Sequence, residues 1–276
     1  MDAPSLPIGD FKVHVLKDGI YRAPIGDLIH VRGEPARQSA IDAWTSPDFS
    51  VDVNCFALDG PGGLWMIDAG AGTAWGPAYG KAPAALRDAG FSATDVSAVL
   101  LTHIHGDHAL GLFEGEKARY PNARLLIPRG DLAYYGDSAI LEATPKENRS
   151  SFRTVAKLRE IYGTRIEVFE AGPVLPGISA IDLPGHTPGH TGFLIHGGRE
   201  NLLVWGDVVH LDTLQLADPA VGFDYDRDPE LALRSRRHAL ESAVGENWLV
   251  AGSHITGVHR VKRHGDGFAF TGERDA

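Results

Sequence analysis

From His103 to His108 the chain reads His-Ile-His-Gly-Asp-His, which places four potential metal ligands within six residues. Imidazole and carboxylate together suit zinc and its first-row neighbours. Ligands spaced by one and two residues point in different directions around a helix, so the run does not suit a helix face. In a loop leaving a strand the same side chains can wrap around an ion, with Gly106 giving a tight turn between the two ligand pairs. A solvated polar loop is the plain alternative. Three histidines and an aspartate directly behind an apolar stretch, Val96 to Leu101, argue against it. The chemistry open to such a cluster is hydrolysis: bound cations lower the pKa of a shared water toward neutrality and polarise a carbonyl or phosphoryl oxygen. No Gly-x-Ser-x-Gly elbow is present to suggest a serine nucleophile.

A rigid frame has to hold these side chains. Apolar, strand-like runs are read at 11–16, 51–58, 64–67, 96–101, 123–128, 165–169, 178–183, 193–196, 202–205 and, as the last core strand, 248–251. Helical spacing is read at 82–89, 150–162 and 229–243. Asp18-Gly19 reads as a turn into Ile20-Tyr21-Arg22, and the polar stretch 32–50 as an irregular surface loop. Polar clusters sit just past the strands: Asp68 after 64–67, the histidine run after 96–101, His186 after 178–183, Asp207 after 202–205 and His254 after 248–251. A buried strand fixes the backbone, and the loop leaving it presents side chains at a rigid rim. Strands and helices alternate with no linker, repeat or low-complexity tract, which predicts one α/β domain over residues 1–276.

Composition narrows the partners. The chain is 43% hydrophobic, enough at 276 residues to bury a large core. Lys+Arg number 26 against 36 Asp+Glu, and the net charge of −10 repels a phosphate backbone, so no nucleic-acid partner is expected. No apolar run is long enough to span a bilayer, so no membrane partner is expected either. Met1 to Ser5 lack the basic stretch and apolar core of a secretory signal, which points to the cytoplasm, with a processed periplasmic form as the alternative. Cys55, the one cysteine, excludes an internal disulfide and reads as a small buried residue in a strand.

Thr102-His103-x-His105-x-Asp107-His108 behind an apolar strand resembles the signature of the metallo-β-lactamase superfamily. Further motifs follow in that family's order: Asp68-Ala69-Gly70, His186 within Pro-Gly-His-Thr-Pro-Gly-His, Asp207 after a strand, and a late His254. The resemblance implies an αββα sandwich, two central mixed β-sheets flanked by helices, holding two divalent cations. His103, His105 and His186 would hold one ion, Asp107, His108 and His254 the other, and Asp207 would bridge them. Zinc is the expected metal, at roughly 2.0–2.2 Å from its ligands, with manganese, iron and cobalt suited to the same donors. Asp68 would accept the other N–H of a ligand histidine. His190 would play a similar supporting part or cap its loop. Di-iron oxygen-reducing members carry a glutamate where this chain has His105, which turns the reading away from redox chemistry. Many true β-lactamases use a late cysteine ligand where this chain has Asp207.

The stretches at 68–77, 111–116, 120–123 and 216–219 are similar to the methyl parathion hydrolase group, which includes phosphotriesterases with lactonase and aryl esterase activity. That likeness implies a pocket lined by aromatics, at Trp75, Tyr135 and Phe152, with core packing as the alternative for each. His210 stands three residues after Asp207, where related lactonases carry a tyrosine that hydrogen-bonds the substrate carbonyl. It would serve as that donor or pack as an ordinary histidine. Asp107 would take the proton from an attacking hydroxide shared by the two ions. The expected function is a dinuclear metal-dependent hydrolase of small ester, lactone or phosphotriester substrates. A glyoxalase II-like thioester hydrolase, a nucleic-acid-processing relative and a non-catalytic metal-binding protein are the alternatives. Enzymes of this group are often dimers, so a homodimer is expected too. His14, His30, His196, His238, His259 and His264 show no ligand spacing and read as surface or packing residues. Arg234 to Arg237 read as a solvated helix face or a dimer contact.

Overall fold

Apolar runs rich in valine, leucine and isoleucine build two central sheets, one from each half of the chain. In a computed structural model, which describes residues 5–274, each sheet has seven strands. Met1 to Pro4, on which part of the secretory-signal expectation rests, lie outside the described residues. The first sheet runs, in spatial and sequence order, Leu6–Ile8, Phe11–Pro24, Asp48–Gly60, Gly63–Ile67, Val96–Leu100, Arg124–Pro128 and Ile166–Phe169. The second runs Gly172–Leu175, Ile178–Asp182, Thr191–Ile195, Leu202–Val204, Leu249–Ala251, Val258–His264 and Gly267–Arg274. Both sheets are mixed. Antiparallel hairpins give way to parallel pairing where a helix crosses over, as between Gly63–Ile67 and Val96–Leu100, and between Leu202–Val204 and Leu249–Ala251.

Facing sides of the two sheets share one buried cluster, in which Phe56, Leu58, Ile67 and Leu100 of the first meet Phe193, Val204 and Ala251 of the second. The outer face of the first sheet is covered by the helices Ala82–Asp88 and Ser150–Tyr162, through Leu86, Val155 and Leu158. The outer face of the second is covered by Pro229–Gly245, through Ala239, Leu240 and Ala243. Strands enclosed on both sides must be apolar throughout, which is why Val96–Leu100 and Leu202–Val204 read as near-continuous hydrophobic runs. The result is the αββα sandwich. Among the described residues, no helix is long and apolar enough to cross a membrane.

Several local expectations change. The stretch 32–50 is not irregular: Glu34–Asp42 is a helix opened by Pro35, and the following strand already begins at Asp48. Asp18-Gly19 does not end a strand either. Phe11–Pro24 continues through an irregularity between Lys17 and Gly19, and Asp18 turns inward, fully buried. There it accepts hydrogen bonds from the backbone N–H groups of Ala71, Gly80 and Ala82. The strand at 249–251 is not the last, because the hairpin Val258–His264/Gly267–Arg274 extends the same sheet. Arg236 is not solvated: it lies at 2% exposure, donating to the carbonyls of Val208, Pro219 and Val221, while Arg234 and Arg237 stay at the surface. Cys55 is fully buried.

Candidate metal centre

Loops leaving the C-terminal ends of strands in both sheets carry the candidate ligands to one place. Within the histidine run, His103 and His105 are in the loop behind Val96–Leu100, whereas Asp107 and His108 belong to a single helical turn, Gly106–Ala109. Gly106 is needed for a different reason from the one its position suggested. A Cβ there would stand 2.8 Å from the Trp75 ring, so the glycine makes room for that indole. The ligand atoms of His103, His105, His186 and Asp207 all lie within 4.8 Å of one another, and so do those of Asp107, His108 and His254. Asp207 faces both groups: Oδ1 is 3.2 Å from His108 Nε2, and Oδ2 is 3.2 Å from both His186 Nε2 and His254 Nε2.

The outward nitrogens fix which atom of each ring faces in. His108 Nδ1 donates to Asp68 Oδ2 at 2.8 Å. Thr102 donates twice to Asp68, through its N–H and its hydroxyl at 2.8 Å each, and the hydroxyl in turn accepts from His103 Nδ1 at 3.0 Å. One carboxylate therefore orients two histidines. Asp68 holds a left-handed backbone, φ 59°, which aspartate tolerates better than most residues. His186 Nδ1 donates to Asp226 Oδ1 at 2.9 Å, and His254 Nδ1 to the carbonyl of Asp52 at 2.7 Å. Each of these four rings thus turns Nε2 toward the interior, while His105 points Nδ1 inward, 2.9 Å from His186 Nε2. His190 supports the backbone: Nδ1 donates to Leu183 O, and Nε2 accepts from Asp207 N at 2.9 Å.

The interior shows the demand for cations. Among the described residues, His103 Nε2, His108 Nε2 and Asp207 Oδ1 are buried without a well-aligned hydrogen-bond partner. Buried polar atoms left unpaired are costly, and three that converge fit ions they would ligate. The electrostatics agree. Burial pulls His103 well below the usual imidazole range, and burial with the neighbouring His186 brings His105 to about 3. Burial also opposes charge on His108, His186 and His254, yet the carboxylates outweigh it. Asp207, Asp107 and Asp68 push His108 well up, hydrogen bonds donated to Asp207 and Asp226 push His186 up to about 9, and Asp207 raises His254. Asp107 and Asp207 are held below the ordinary carboxylate range, because His108 and His254 overcome the effect of burial. Protons on three imidazoles thus balance the carboxylates where cations would otherwise do so.

A sequence profile described as the metallo-beta-lactamase superfamily matches residues 50–254. The chain belongs to the metallo-β-lactamase superfamily. Among curated relatives, it is 24% identical over 174 residues to an N-acyl homoserine lactonase of Bacillus cereus, an alignment covering 61% of this chain and 60% of that one. It is 27% identical over 160 residues to the uncharacterized protein YobT of Bacillus subtilis (strain 168), covering 58% and 63% of the two chains. The chain thus spans about three fifths of the length of these two relatives. Among solved structures, the hydrolase AbOPH superposes with a TM-score of 0.87 at 23% identity, over 96% of this chain and 95% of that one. AidC, a dizinc quorum-quenching lactonase in complex with a product, N-hexanoyl-L-homoserine, superposes with a TM-score of 0.87 at 24% identity, over 99% and 98%. At such identities the likeness bears on the fold.

In this metallo-β-lactamase fold a cleft opens over the cluster, walled by Tyr21, Trp75, Asp107, His210, Tyr225 and His254. Trp75 is 41% exposed and packs 6.3 Å from Tyr21 and 5.6 Å from Tyr79. Tyr135 and Phe152 do not line that cleft. They meet edge to face, 5.3 Å apart, and line a second hollow that adjoins the cleft through His105, Ser150, His186 and Tyr225. His210 borders the cleft, but its Nε2 turns 3.1 Å from Asp207 Oδ2, its ring stacks on His254 at 4.8 Å, and its Nδ1 finds no hydrogen-bond partner among the described residues. Burial brings it to about 4 despite Asp207. Tyr21, Tyr225 and Asp226 are site residues that the sequence reading missed. Asp226 stands 40 positions from His186, and nothing in the intervening spacing links them.

Proposed function

We propose that this chain is a metal-dependent hydrolase that cleaves ester bonds of small molecules, with lactones as the leading class. The observation that carries the reading is the convergence of His103, His105, His186, Asp207, Asp107, His108 and His254, with buried, unpartnered donor atoms at its centre. His103, His105 and His186 would hold one divalent cation, Asp107, His108 and His254 a second, and Asp207 both. Such cations, when bound, supply Lewis acidity to a substrate carbonyl and a water acidified toward neutral pH.

The protein's own groups do the rest. Asp107, ionised at neutral pH and with its side chain 11% exposed to the cleft, is placed to accept a proton from attacking water and return it to the leaving alkoxide. Asp68, Asp226 and the Asp52 carbonyl hold His108, His186 and His254 with Nε2 turned inward, so that the rings need not rotate as the site fills. Tyr21 and Trp75 offer an aromatic wall for an apolar acyl or aryl group and shed water from it. His210, with Nε2 on Asp207, would hold that carboxylate in place or donate to the substrate carbonyl when Asp207 is otherwise engaged.

A lactonase among the curated relatives and the product-bound lactonase neighbour support the lactone reading, and the description of that neighbour as dizinc supports zinc. Aryl esters and phosphotriesters stay within the proposal on the likeness to the methyl parathion hydrolase group. The test is hydrolysis of an N-acyl-homoserine lactone, a p-nitrophenyl ester and a phosphotriester by purified protein. The expected result is activity lost on chelation and restored by zinc or manganese, with the lactone opened at the highest kcat/KM. No hydrolysis of any of the three by protein carrying two ions per chain would overturn it.

A further inference from the structure

Both candidate cation positions draw ligands from both sheets, so the gap between the sheets sets their geometry. His103 and His105 come from the first sheet and His186 from the second; Asp107 and His108 come from the first and His254 from the second. Each position has a polar side chain of the first sheet's half of the chain reaching across to the second sheet's ligand loop. On one side it is Asp131, fully buried in the helix Arg129–Tyr135. Its Oδ2 accepts from the N–H of Ile104, the residue between two ligands, at 2.8 Å, and its Oδ1 accepts from the N–H of Gly189 in the loop that carries His186, at 2.7 Å. The two backbones touch there, since a Cβ on Gly130 would stand 2.8 Å from Gly189 Cα. On the other side it is Asn54, buried at 3% exposure in the strand Asp48–Gly60. Its Nδ2 donates to Ile255 O at 2.9 Å and Gly252 O at 3.4 Å, and its backbone N–H to Ser253 O at 2.8 Å, so it brackets His254 on both sides.

We propose that Asp131 and Asn54 are positioning residues, one for each cation: Asp131 sets the site of His103, His105 and His186, and Asn54 sets that of Asp107, His108 and His254. The two clamps are far apart in sequence, share no bond, and act on different ligand loops. Loss of one therefore loosens one ion and leaves the other. Asp131→Ala removes the acceptor for both N–H groups, so the His103/His105 loop and the His186 loop drift relative to each other. Asp131→Asn keeps one acceptor and turns an N–H against the other donor. Asn54→Ala removes both side-chain donors but keeps the backbone bond to Ser253, so the loop stays attached while losing its lock.

This inference rests on reading the cluster as a two-ion centre, and the wild-type protein tests that reading by itself, by whether it binds two equivalents of zinc. With that established, zinc titration of the folded variants, monitored by competition with a chelating dye and by circular dichroism, tests the clamps. The expected result is one ion weakened about 10–100-fold in each variant, the range usual for lost support to a metal ligand, while the other changes by less than about threefold. X-ray absorption on the one-ion forms identifies the survivor. The Asp131 variants should keep the ion with two imidazoles, and Asn54→Ala the ion with three. If Asp131→Ala does not fold, Asp131→Asn provides the same comparison. Two ions weakened together, none weakened, or the same ion lost in both variants would overturn the proposal.

Discussion

Replacing Asp68 by asparagine exchanges one oxygen for an NH2 and leaves the shape and the tolerance of φ 59° intact. The consequence follows from the three bonds that Asp68 accepts, each at 2.8 Å, from Thr102 N, Thr102 Oγ1 and His108 Nδ1. If the amide NH2 takes the Oδ2 position, His108 must accept there and move its proton to Nε2, the atom facing Asp207. The Thr102 hydroxyl then reverses toward His103 Nδ1 and drives that ring's proton to Nε2 as well. If the NH2 takes the Oδ1 position, it opposes the Thr102 N–H and leaves a buried backbone donor unpaired, which costs about 1–3 kcal/mol. By either route the ligand nitrogens lose basicity or placement. Ion affinity should fall about 10–100-fold, equivalent to roughly 1.4–2.8 kcal/mol. Alanine would be a blunter change, with three donors unpaired and a left-handed residue without a polar side chain, enough to threaten folding. The assay is zinc competition against a chromophoric chelator on folded Asp68→Asn protein. Wild-type affinity and stoichiometry in that variant would refute the role assigned to the Asp68–Thr102–His103/His108 network.

Other consequences can be checked independently. His186 is pushed up to about 9, so without an ion its imidazolium persists below that pH and its proton must leave before a cation binds. Apparent ion affinity should fall as pH drops below about 9, and calorimetry near pH 7.5 in buffers of differing ionisation enthalpy should show net proton release; zero release would contradict it. Trp75→Ala removes a ring that is partly exposed at the cleft mouth but packs on Tyr21 and Tyr79, so unfolding free energy should fall by about 1–3 kcal/mol. Its KM for an apolar lactone should rise roughly tenfold with kcat little changed, and a fall in kcat alone would refute the binding-wall reading. Arg236→Met removes one of the two cations beside buried Asp226, leaving His186, and strips the carbonyls of Val208, Pro219 and Val221 of their donor; it should destabilise the fold by about 3–5 kcal/mol in urea unfolding, and a change under about 1 kcal/mol would count against the buried role of Arg236.

The sequence disclosed what repetition and density make visible. Continuous apolar runs marked the central strands because strands buried on both faces carry no polar alternation. The seven candidate ligands stood out because each follows such a run. What it hid depends on contacts between distant segments. Asp226 reaches His186 from 40 positions away, and Asn54 reaches Ile255 from 201. Neither has a local pattern, since a buried aspartate or asparagine is defined by the backbone groups it meets. Asp18-Gly19 looked like a turn because that dipeptide commonly makes one. Here the aspartate points inward at a strand irregularity and ties down the loop that carries Trp75. Arg236 looked solvated because its neighbours Arg234 and Arg237 are, and helical phase alone separated them. Tyr135 and Phe152 pack on each other and line the adjoining hollow rather than the cleft over the cluster, a division of space that spacing along the chain does not show.

If the cluster works as proposed, this chain grips two divalent cations between its sheets. Elemental analysis of folded protein, purified from metal-sufficient medium without exposure to chelator and followed by zinc titration, tests it most directly. Two ions per chain are expected after titration, falling sharply with His103→Ala or Asp207→Ala. Protein that is isolated without metal and takes up none on titration would contradict it.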